Sequence, residues 1–415
     1  MKAVVLAAGE GERLRPLTYT RPKCMIPIAG KPILEHVLAS IREAGIREAL
    51  IVVKYKQDSI TSYFGDGSKF GMKLGYVTQG EKYGTAAAFG TAAGHITDNF
   101  LGMAGDVICD ASDIRELLKA HEKHDGLMTV GLKAVEVKEQ YGIAEVRDGV
   151  ITGFAEKPKE SKSNLANTSI YAFDAKILDE IANIRPSPRG EYEITDIIKS
   201  GRAHAHELKG YWLDMGVPWQ LLDANRYLLE KLPEKREGKL ENCTVKGKVI
   251  IEKGAQIFHS YLQGPIFIGK DSTVGPHAYI REGTSIGEGC DISDSSTVKN
   301  SIIMNGVNAK HLSYIGDSIV GERVNFGAGT QVANYRFDAG TIRSIIKGKE
   351  VDTGRTKLGV VIGDDTKTGV LSCIMPGKKV GSGCWIGAGV IVEEDIADET
   401  AVFVKQTLTK ISRKK

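Results

Sequence analysis

The chain has 415 residues and a formal net charge of +3 at pH 7, and this length predicts about two to three domains. Basic and acidic residues are interspersed, so the sequence lacks the basic stripe of a nucleic-acid-binding protein and we expect no nucleic-acid partner. The six cysteines form neither a CxxC pair nor a zinc-ligand spacing, which favours reduced thiols in a cytoplasmic protein. The apolar run Ala3–Ala8 is too short for a signal peptide and no stretch approaches membrane-spanning length, so we expect neither secretion nor a membrane partner.

Short apolar runs alternate with helical patterns through the first half of the chain. Val4–Ala8, bounded by Gly9 and Gly11, is typical of a buried parallel strand, and apolar residues at helical spacing follow at Ile33–Ile41. The alternation continues with predicted strands at Ala49–Val53, Phe100–Met103 and Met128–Val130 and a predicted helix at Ile114–His121. This order predicts an α/β domain with a mostly parallel sheet and helices on both faces. Ligands of such sheets bind at the carboxyl ends of the strands, where residues 9–15 must lie.

Three kinds of phosphate-binding loop compete for the glycine-rich segment after the first strand. A dinucleotide fingerprint would open directly into a helix, whereas this segment runs into Pro16, and the GxxxxGK[ST] pattern of a P-loop is absent. The third is a nucleotidyltransferase loop, in which small residues let backbone N–H groups approach a triphosphate while Arg13 and Lys23 supply cations. Those small residues are Ala7, Ala8, Gly9 and Gly11.

The pattern GxGxRLxPLTxxxPKxxxPIxGKPIL resembles the sugar-1-phosphate nucleotidyltransferases, particularly the glucose-1-phosphate thymidylyl- and uridylyltransferase branch. The resemblance implies a Rossmann-like domain that contacts the nucleotide through Gln79, Gly84 and Thr85. It implies a Mg²⁺ site at Asp106 and Asp214. The positions matching the sugar-phosphate contacts of the family are Gly142, Glu156, Lys157 and Asn167.

The chemistry of this family accounts for these residue types. An oxygen of a sugar-1-phosphate attacks the α-phosphorus of UTP or dTTP and pyrophosphate leaves, so catalysis is mainly positioning and charge stabilisation. Mg²⁺ prefers a few carboxylates together with substrate oxygens, which Asp106 and Asp214 would supply. The resemblance makes Arg13 and Lys23 the catalytic cations. The sequence leaves open which triphosphate is used and whether the sugar is glucose or N-acetylglucosamine.

From about residue 245 an aliphatic residue recurs at every sixth position. A period of six fits neither a helix nor an alternating strand and is typical of a parallel β-helix, in which each hexapeptide forms one side of a triangular coil. The repeat positions are Ile268, Val274, Ile280, Ile286, Ile292 and Val298, and then Ile362, Thr368, Ile374, Val380, Ile386 and Val392.

Polar residues that the repeat does not require occur from residue 310 to residue 335. A lone histidine in such a coil is more often structural, but these residues resemble the acetyltransferase half of the bifunctional enzyme that makes UDP-N-acetylglucosamine. The resemblance makes His311 the catalytic base and puts Asn334 at a substrate-contacting catalytic position, where we expect backbone N–H groups around Asn334 and Tyr335 to stabilise the oxyanion. It assigns the amino-sugar phosphate to Arg281, Lys299, Tyr314, Asn325 and Lys357.

Acetyl transfer needs an amine that attacks the thioester of acetyl-CoA, and a histidine ordinarily titrates near the pH at which it can accept the amine proton. The resemblance also implies a left-handed β-helix that forms homotrimers with acetyl-CoA between subunits. The chain departs from the bacterial pattern in an insertion at residues 336–356, where Arg343 or Lys347 offers an alternative to Lys357. This departure suits the archaeal-type bifunctional nucleotidyltransferase/acetyltransferase, which the whole chain resembles best.

The sequence therefore predicts a nucleotidyltransferase domain at residues 1–225 and a helical linker at residues 226–244. A β-helix acetyltransferase domain at residues 245–405 and a basic tail at residues 406–415 complete the prediction. We expect a bifunctional enzyme that acetylates glucosamine-1-phosphate or galactosamine-1-phosphate and transfers a nucleotidyl group to a sugar-1-phosphate. One alternative is a single-activity thymidylyl- or uridylyltransferase whose β-helix only assembles subunits. Another is a regulatory subunit, which the intact Arg13, Lys23, Asp106 and Asp214 argue against.

Overall fold

A computed structural model describes residues 1–412 and divides them into two compact units. The first unit comprises Met1–Gly11, Arg21–Ile26 and Lys31–Met215. The second begins again at Gly216 and also includes Glu12–Thr20 and Pro27–Gly30. Two short segments near the amino terminus thus belong to the carboxyl-terminal unit, which the sequence did not predict.

The first unit is built on one nine-stranded sheet. In spatial order its strands are Lys73–Thr78, Glu48–Val53, Lys2–Ala7, Phe100–Ala104, Leu165–Phe173, Met128–Ala134, Ala203–Glu207, Val150–Glu156 and Gly142–Arg147. The first four are mutually parallel, as the βα alternation predicts. The sheet becomes mixed at Leu165–Phe173, which runs antiparallel to both of its neighbours in this order.

Helices cover this sheet, and their apolar stripes explain why they form. Ile33–Glu43 buries Ile33, Leu34, Val37, Leu38 and Ile41, the spacing of one face of a helix. The other α-helices of the unit are Gln57–Phe64, Thr85–Gly90, Ala111–His121, Ile177–Ala182 and Thr195–Ile198. Single 3-10 turns lie at Lys23–Met25, Ser68–Phe70, Ala93–His95 and Lys138–Gln140. A separate pair of antiparallel strands is formed by Val107–Cys109 and Trp212–Asp214. In this pair Asp214 lies opposite Val107, the residue after Asp106.

The second unit is a parallel β-helix whose strands stack in three columns. The first column contains Lys235–Arg236, Val249–Ile251, Ile266–Ile268, Thr284–Ile286, Ile302–Ile303, Ile319–Val320, Val361–Ile362 and Lys379–Val380. The second contains Lys239–Glu241, Gln256–Phe258, Thr273–Val274, Asp291–Ile292, Asn308–Ala309, Lys367–Thr368, Trp385–Ile386 and Ala401–Val402, with Asn325 bridging its two halves. The third contains Thr244–Lys246, Tyr261–Gln263, Tyr279–Ile280, Thr297–Lys299, Tyr314–Gly316, Gln331–Val332, Cys373–Ile374 and Ile391–Val392.

The period-six residues form the core of this β-helix. All of the aliphatic positions predicted from the repeat are buried in one continuous cluster. Thr368 is also buried, at 5% exposure, and its hydroxyl lies 2.8 Å from that of Thr330. The cost of burying this polar repeat residue is therefore offset by a hydrogen bond inside the coil.

The second half differs from its predicted boundaries at two points. The helix is Pro218–Lys231 and lies in the second unit, so it is not confined to a linker at residues 226–244. The coils begin with the strand Lys235–Arg236, which lies within the predicted linker, before residue 245, and pairs with the strand Val249–Ile251 of the next coil. The insertion forms an antiparallel hairpin, Arg343–Ile346 with Lys349–Asp352, which we call the inserted hairpin.

Residues 406–412 of the predicted tail carry no helix or strand, and residues 413–415 lie outside the described residues. No helix within residues 1–412 combines the length and the hydropathy needed to cross a membrane. The remaining short elements are the strands Pro27–Ile28 and Lys31–Pro32 and the 3-10 turns Glu12–Leu14 and Leu17–Tyr19.

Candidate active sites

Two carboxylates and one ammonium group converge in the first unit. Lys23 forms ion pairs with both Asp106 and Asp214, the second with 3.6 Å between Nζ and Oδ1. Asp106 sits in the turn between the strands Phe100–Ala104 and Val107–Cys109, and Asp214 pairs with Val107 across the antiparallel ladder. The β-ladder is therefore what places the two aspartates, which are far apart in sequence, side by side.

This arrangement fits a Mg²⁺ site completed by substrate. An oxygen of each carboxylate contacts the same cation, the Lys23 ammonium group. The two carboxylates therefore concentrate negative charge at one place, as a metal site requires. Among residues 1–412 no group of three or more histidine, cysteine or acidic side chains is arranged to hold a metal. Mg²⁺ ordinarily takes one or two protein carboxylates and fills its octahedron with water and phosphate oxygens, so two aspartates suffice.

The thiol next to this cluster is not reactive. Cys24 is buried at 4% exposure, and burial together with the Asp106 charge raises its pKa to about 12. A thiol in that state is protonated at neutral pH and is a poor nucleophile. All six cysteines are free.

The glycine-rich loop divides between the two units. Ala7 ends the first strand, and Ala8, Gly9 and Gly11 continue in the first unit. A Cβ added at Gly9 would meet no atom within 4 Å, whereas Gly11 has a φ of 69° that disfavours other residues. Arg13 lies in the 3-10 turn Glu12–Leu14 and is exposed, and its segment belongs to the second unit.

The predicted base-binding segment is held by contacts of its own. Gln79 is 7% exposed, and its side-chain amide donates to the carbonyl of Lys82 at 2.9 Å. Gly84 has a φ of 117°, and a Cβ there would overlap the backbone of Tyr192. The Thr85 hydroxyl accepts a hydrogen bond from the N–H of Ile194 at 3.1 Å. These contacts fix the start of the helix Thr85–Gly90 against residues 192–194.

Three of the four predicted sugar-phosphate residues lie on or directly after the two strands at one edge of the sheet, and the fourth, Asn167, lies on a central strand that also pairs with the edge strand Gly142–Arg147. Gly142 pairs directly with Glu156, and a Cβ on it would come within 2.9 Å of Glu156 Oε2. Lys157 follows with a φ of 47°, and its N–H donates to the carbonyl of Tyr141 at 3.0 Å. Asn167 is on the neighbouring strand, where its amide donates to the Tyr171 hydroxyl at 2.9 Å. The structure therefore brings this set together.

Trp212 connects the sugar edge to the aspartate pair. Its ring lies 5.3 Å from that of Tyr141, and its indole N–H donates to the carbonyl of Thr168 at 3.1 Å. Asp214 is two residues further along the same strand. A cavity of about 780 Å³ also borders Glu156 and is lined by Arg189, Glu193 and Asp196 among others. The residues that line this cavity do not include Asp106 or Asp214. The candidate site is therefore defined by its side chains and not by the cavity.

In the second unit the predicted base is oriented by a carboxylate. His311 Nδ1 lies 2.7 Å from Asp294 Oδ2, and both side chains are about half exposed, at 55% and 49%. If Nδ1 carries the proton and its N–H donates a hydrogen bond to the carboxylate, Nε2 has a free lone pair. Among residues 1–412 no protein group forms a hydrogen bond with Nε2. His311 thus has the geometry of a general base whose tautomer is fixed by a partner.

A buried carboxylate joins the other polar residues of this site. Asp317 is 4% exposed and accepts from the side-chain amides of Asn334 at 2.6 Å and Asn300 at 2.7 Å. Lys299 Nζ lies 3.8 Å from the same carboxylate. Asn334 also donates to the Tyr314 hydroxyl at 3.2 Å. The predicted residues Lys299, Tyr314 and Asn334 therefore form one network around Asp317.

Arg281 lies one coil away in the same column. Its backbone N–H bonds to Val298, next to Lys299, and its guanidinium lies 5.5 Å from the ring centre of Tyr279. Its Nε is buried without a hydrogen-bond partner. A buried donor without a partner is costly, so this nitrogen is suited to an anionic ligand.

The last two predicted residues occupy different places. Asn325 is exposed in the second column, where its backbone bridges Asn308 and Lys367, whereas the strands of Lys299 and Tyr314 lie in the third column. Lys357 pairs through its backbone with Tyr335, beside Asn334, and its side chain is exposed. The alternative Arg343 is engaged in its own hairpin, 2.7 Å from Glu350. Position therefore favours Lys357.

Two acidic residues of this site, Asp294 and Asp317, were not predicted from the sequence. Asp294 is 17 residues before His311, the same offset that separates paired residues such as Thr297 and Tyr314 on adjacent coils. Searching one coil before the histidine for a carboxylate would have found it. Asp317 appears in the sequence as an ordinary turn residue, and only its burial reveals its role.

Profiles of known protein families match both halves of the chain. The profile of the nucleotidyl transferase family matches residues 2–231. The profile of the GMPPB C-terminal domain matches residues 262–368, and the hexapeptide repeat of succinyl-transferase matches residues 359–394. The coils of the second unit are thus the hexapeptide-repeat, left-handed β-helix predicted from the period of six.

Similar proteins extend over the whole chain. A protein of Methanocaldococcus jannaschii named bifunctional protein GlmU is 44% identical, over 98% of each chain. A bifunctional sugar-1-phosphate nucleotidylyltransferase/acetyltransferase of Sulfurisphaera tokodaii is 39% identical over 95% of this chain and 98% of its own. A Bacillus anthracis crystal structure assigned as a glucose-1-phosphate thymidylyltransferase, solved with sucrose, covers 57% of this chain and 98% of its own, with 32% identity and a TM-score of 0.52. The chain therefore belongs to the family of bifunctional sugar-1-phosphate nucleotidylyltransferase/acetyltransferases that includes the GlmU proteins.

Proposed function

We propose that this bifunctional enzyme acetylates glucosamine-1-phosphate or galactosamine-1-phosphate and transfers a nucleotidyl group from UTP or dTTP to N-acetylglucosamine-1-phosphate or glucose-1-phosphate. Membership of the family implies that the nucleotidyl transfer depends on a metal and that acetyl-CoA is used. The single observation that carries the proposal is the second site. There a histidine oriented by Asp294 occurs in the same coils as the Asp317 network, which a purely structural β-helix does not need.

In the proposed nucleotidyl transfer, Asp106 and Asp214 would hold Mg²⁺, which when bound would supply positive charge to the triphosphate oxygens. Lys23, already beside both aspartates, neutralises charge on the α-phosphate as the sugar-phosphate oxygen attacks. Arg13 stabilises the departing pyrophosphate. Gly142, Glu156, Lys157 and Asn167 orient the sugar phosphate at the sheet edge. The backbone of residues 7–11 and the segment of Gln79, Gly84 and Thr85 receive the nucleotide.

In the proposed acetyl transfer, His311 removes the proton from the attacking amine through Nε2. Its Nδ1–H stays hydrogen-bonded to the carboxylate of Asp294, and the negative charge of that carboxylate stabilises the imidazolium that forms. Lys299 and Arg281 bind the phosphate of the amino sugar, and Tyr314 contacts the sugar. Backbone N–H groups around Asn334 and Tyr335 stabilise the oxyanion of the tetrahedral intermediate. Asn325 and Lys357 complete the substrate contacts. The thiolate of CoA leaves as the amide forms.

Hexapeptide-repeat coils suggest an oligomer, and we propose a cytoplasmic homotrimer with acetyl-CoA between subunits. Two apolar side chains at one corner of the coils support this assembly. Leu312 and Leu371 are 65% and 72% exposed. Leu312 directly follows His311, whose backbone carbonyl accepts the N–H of Gly329, and the Leu371 side chain lies against Gly329. An exposed apolar corner beside a proposed catalytic residue is suited to a subunit contact.

One substrate panel tests the proposal. UTP and dTTP are each combined with the 1-phosphates of glucose, N-acetylglucosamine, glucosamine and galactosamine, and pyrophosphate release is measured. CoA release from acetyl-CoA is measured in parallel with the two amino-sugar phosphates. We expect both products to form. Pyrophosphate without any CoA would instead indicate the single-activity enzyme whose coils only assemble subunits.

A further inference from the structure

The segment Glu12–Thr20 carries Arg13 and is held at both ends by residues from the β-helix half of the chain. At its start, the Glu12 carboxylate forms an ion pair with Lys347 of the inserted hairpin. At its end, the Thr20 hydroxyl donates to Asp364 Oδ2 at 2.8 Å. All of these residues belong to the second unit.

Asp364 is a fixed anchor for this segment. Its side chain is 2% exposed, and its other carboxylate oxygen accepts the backbone N–H of Glu322 at 2.8 Å. A buried carboxylate needs hydrogen bonds to each oxygen to offset its loss of water. The Thr20 hydroxyl provides one of these hydrogen bonds, so its loss would destabilise the buried carboxylate.

The inserted hairpin presents Lys347 rigidly. Lys347 and Gly348 have φ of 50° and 73°, the two positive values of the tight turn that suits a two-residue hairpin. Behind the turn, the ammonium group of Lys379, a residue 9% exposed, donates to the carbonyl of Ile345 at 2.5 Å. Gly377, which has a φ of 75°, lets the backbone of Arg343 approach closely. These contacts of Lys379 and Gly377 attach the inserted hairpin to the neighbouring coil.

A second short segment is held in the same way. Asn225 is fully buried, and its side-chain oxygen accepts the N–H of Ala29 at 2.7 Å and the Ser285 hydroxyl at 2.8 Å. Its amide donates to the carbonyl of Gly283 at 2.8 Å. The turn Pro27–Gly30 is therefore fixed to the coils, and in sequence it directly follows the stretch that carries Lys23.

We propose that Lys347, Asp364 and Thr20 are positioning residues for nucleotidyl transfer, and that the inserted hairpin serves that reaction and not acetyl transfer. This inference rests on the proposed role of Arg13. Electrostatic stabilisation is effective when the charged group is already in place and requires no reorganisation. Holding both ends of Glu12–Thr20 limits the positions that Arg13 can occupy before the triphosphate arrives.

Thr20→Val and Thr20→Ser, in the full-length protein, form a matched pair. Valine keeps the shape and removes the donor to Asp364, whereas serine keeps the hydroxyl. The loss of a hydrogen bond to a charged group changes an equilibrium constant by about tenfold. We therefore expect kcat of nucleotidyl transfer to fall by about tenfold in Thr20→Val and to keep its wild-type value in Thr20→Ser. KM for the sugar phosphate and the acetyl-transfer rate should not change. Equal kcat in both variants and wild type would overturn the proposal.

A charge reversal tests the other end. Lys347→Glu should lower kcat about two- to fivefold, the scale of an exposed ion pair, and the double variant Lys347→Glu with Glu12→Lys should recover it. Lys349→Glu, on the same hairpin, is the matched control and should have no effect. If Lys347→Glu and Lys349→Glu behave alike, or if Lys347→Glu impairs acetyl transfer alone, the assignment of the hairpin is wrong.

Hydrogen exchange separates this inference from the proposed function. The amides of Glu12–Thr20 should exchange faster in Thr20→Val and Lys347→Glu than in Thr20→Ser and Lys349→Glu, because loss of an anchor favours local opening. This readout does not require catalysis. Wild-type protein that releases no pyrophosphate would refute the proposed function while leaving the exchange result interpretable, whereas unchanged exchange in an active enzyme would refute the positioning role.

Discussion

His311 Nδ1 lies 2.7 Å from Asp294 Oδ2, on the preceding coil of the β-helix. The stacking of coils places one residue above the other, so the pair follows from the repeat. A carboxylate in this position fixes the imidazole tautomer and leaves Nε2 for the substrate amine. The pair thus predicts that the two residues act in one reaction and not in the other.

Replacement of His311 by asparagine should lower acetyl transfer by about 10²- to 10⁴-fold, the usual contribution of a positioned base. Asp294→Asn should lower it by about 10- to 10⁴-fold, because the amide favours the wrong tautomer. Pyrophosphate release should be unchanged in both variants. His277→Asn is the control, since His277 is an exposed histidine at a coil corner with a φ of 59°. Equal losses of both activities in His311→Asn would indicate a structural histidine.

The aspartate pair predicts a selective loss in the other direction. Asp106→Ala or Asp214→Ala should abolish most nucleotidyl transfer and leave acetyl transfer intact, and removal of divalent metal with a chelator should have the same effect. Asparagine should rescue only in part, because a neutral oxygen is a weaker ligand for Mg²⁺. The measurement is pyrophosphate release at limiting Mg²⁺. A wild-type rate in Asp106→Ala would contradict the metal assignment.

How much of this was predictable differs between the two units. The six-residue period predicted the core of the coils residue by residue, because each repeat position has one environment. The boundaries were wrong near residue 235, where a charged sequence pairs as strand because strand pairing uses the backbone and the charged side chains remain exposed. The partners Asp294 and Asp317 and the anchoring of Glu12–Thr20 depend on contacts between distant residues. The 17-residue offset between adjacent coils points to Asp294, whereas no local pattern encodes the burial of Asp317 or the anchoring of Glu12–Thr20.

The insertion gives a direct comparison of two cations. Lys357 pairs through its backbone with Tyr335, next to Asn334, and its side chain is exposed, whereas Arg343 is paired with Glu350. Lys357→Ala should therefore raise KM for the amino-sugar phosphate in acetyl transfer, by about two- to tenfold for the loss of one charge-assisted contact. Arg343→Ala should leave this KM unchanged. CoA release at varied sugar phosphate measures both, and the opposite ranking would assign the site to the hairpin.

The exposed corner formed by Leu312 and Leu371 predicts how assembly affects activity. Leu371→Glu places a charge on a surface that we expect to be covered in the trimer, and burial of an unpaired charge is strongly unfavourable. The variant should be monomeric by light scattering at micromolar concentration and should lose acetyl transfer. Leu408→Glu, in the tail at 76% exposure, is the control and should remain trimeric. Monomeric wild-type protein would contradict the proposed assembly.

A histidine stack in the first unit predicts acid sensitivity. The rings of His124 and His204 are parallel, with centres 4.1 Å apart, and His204 Nδ1 is buried without a hydrogen-bond partner. Burial, and then the neighbouring His124, lower the pKa of His204. Burial also lowers the pKa of His121, which is 4% exposed and lies 3.0 Å from the Thr129 hydroxyl, although Asp174 and Glu122 oppose this shift.

Because these pKa values are lower in the folded protein, the unfolded chain binds more protons between the folded value and the ordinary value of about 6.5. Stability must therefore rise with pH through that window and fall as pH drops below about 6.5. Thermal unfolding of wild type should shift to lower temperature between pH 7.5 and pH 5.5. His124→Phe keeps the stacked ring and removes the charge facing His204, so its shift should be smaller. His95→Gln, at an exposed position, should behave as wild type. An equal shift in wild type and His124→Phe would show that the stack does not govern acid sensitivity.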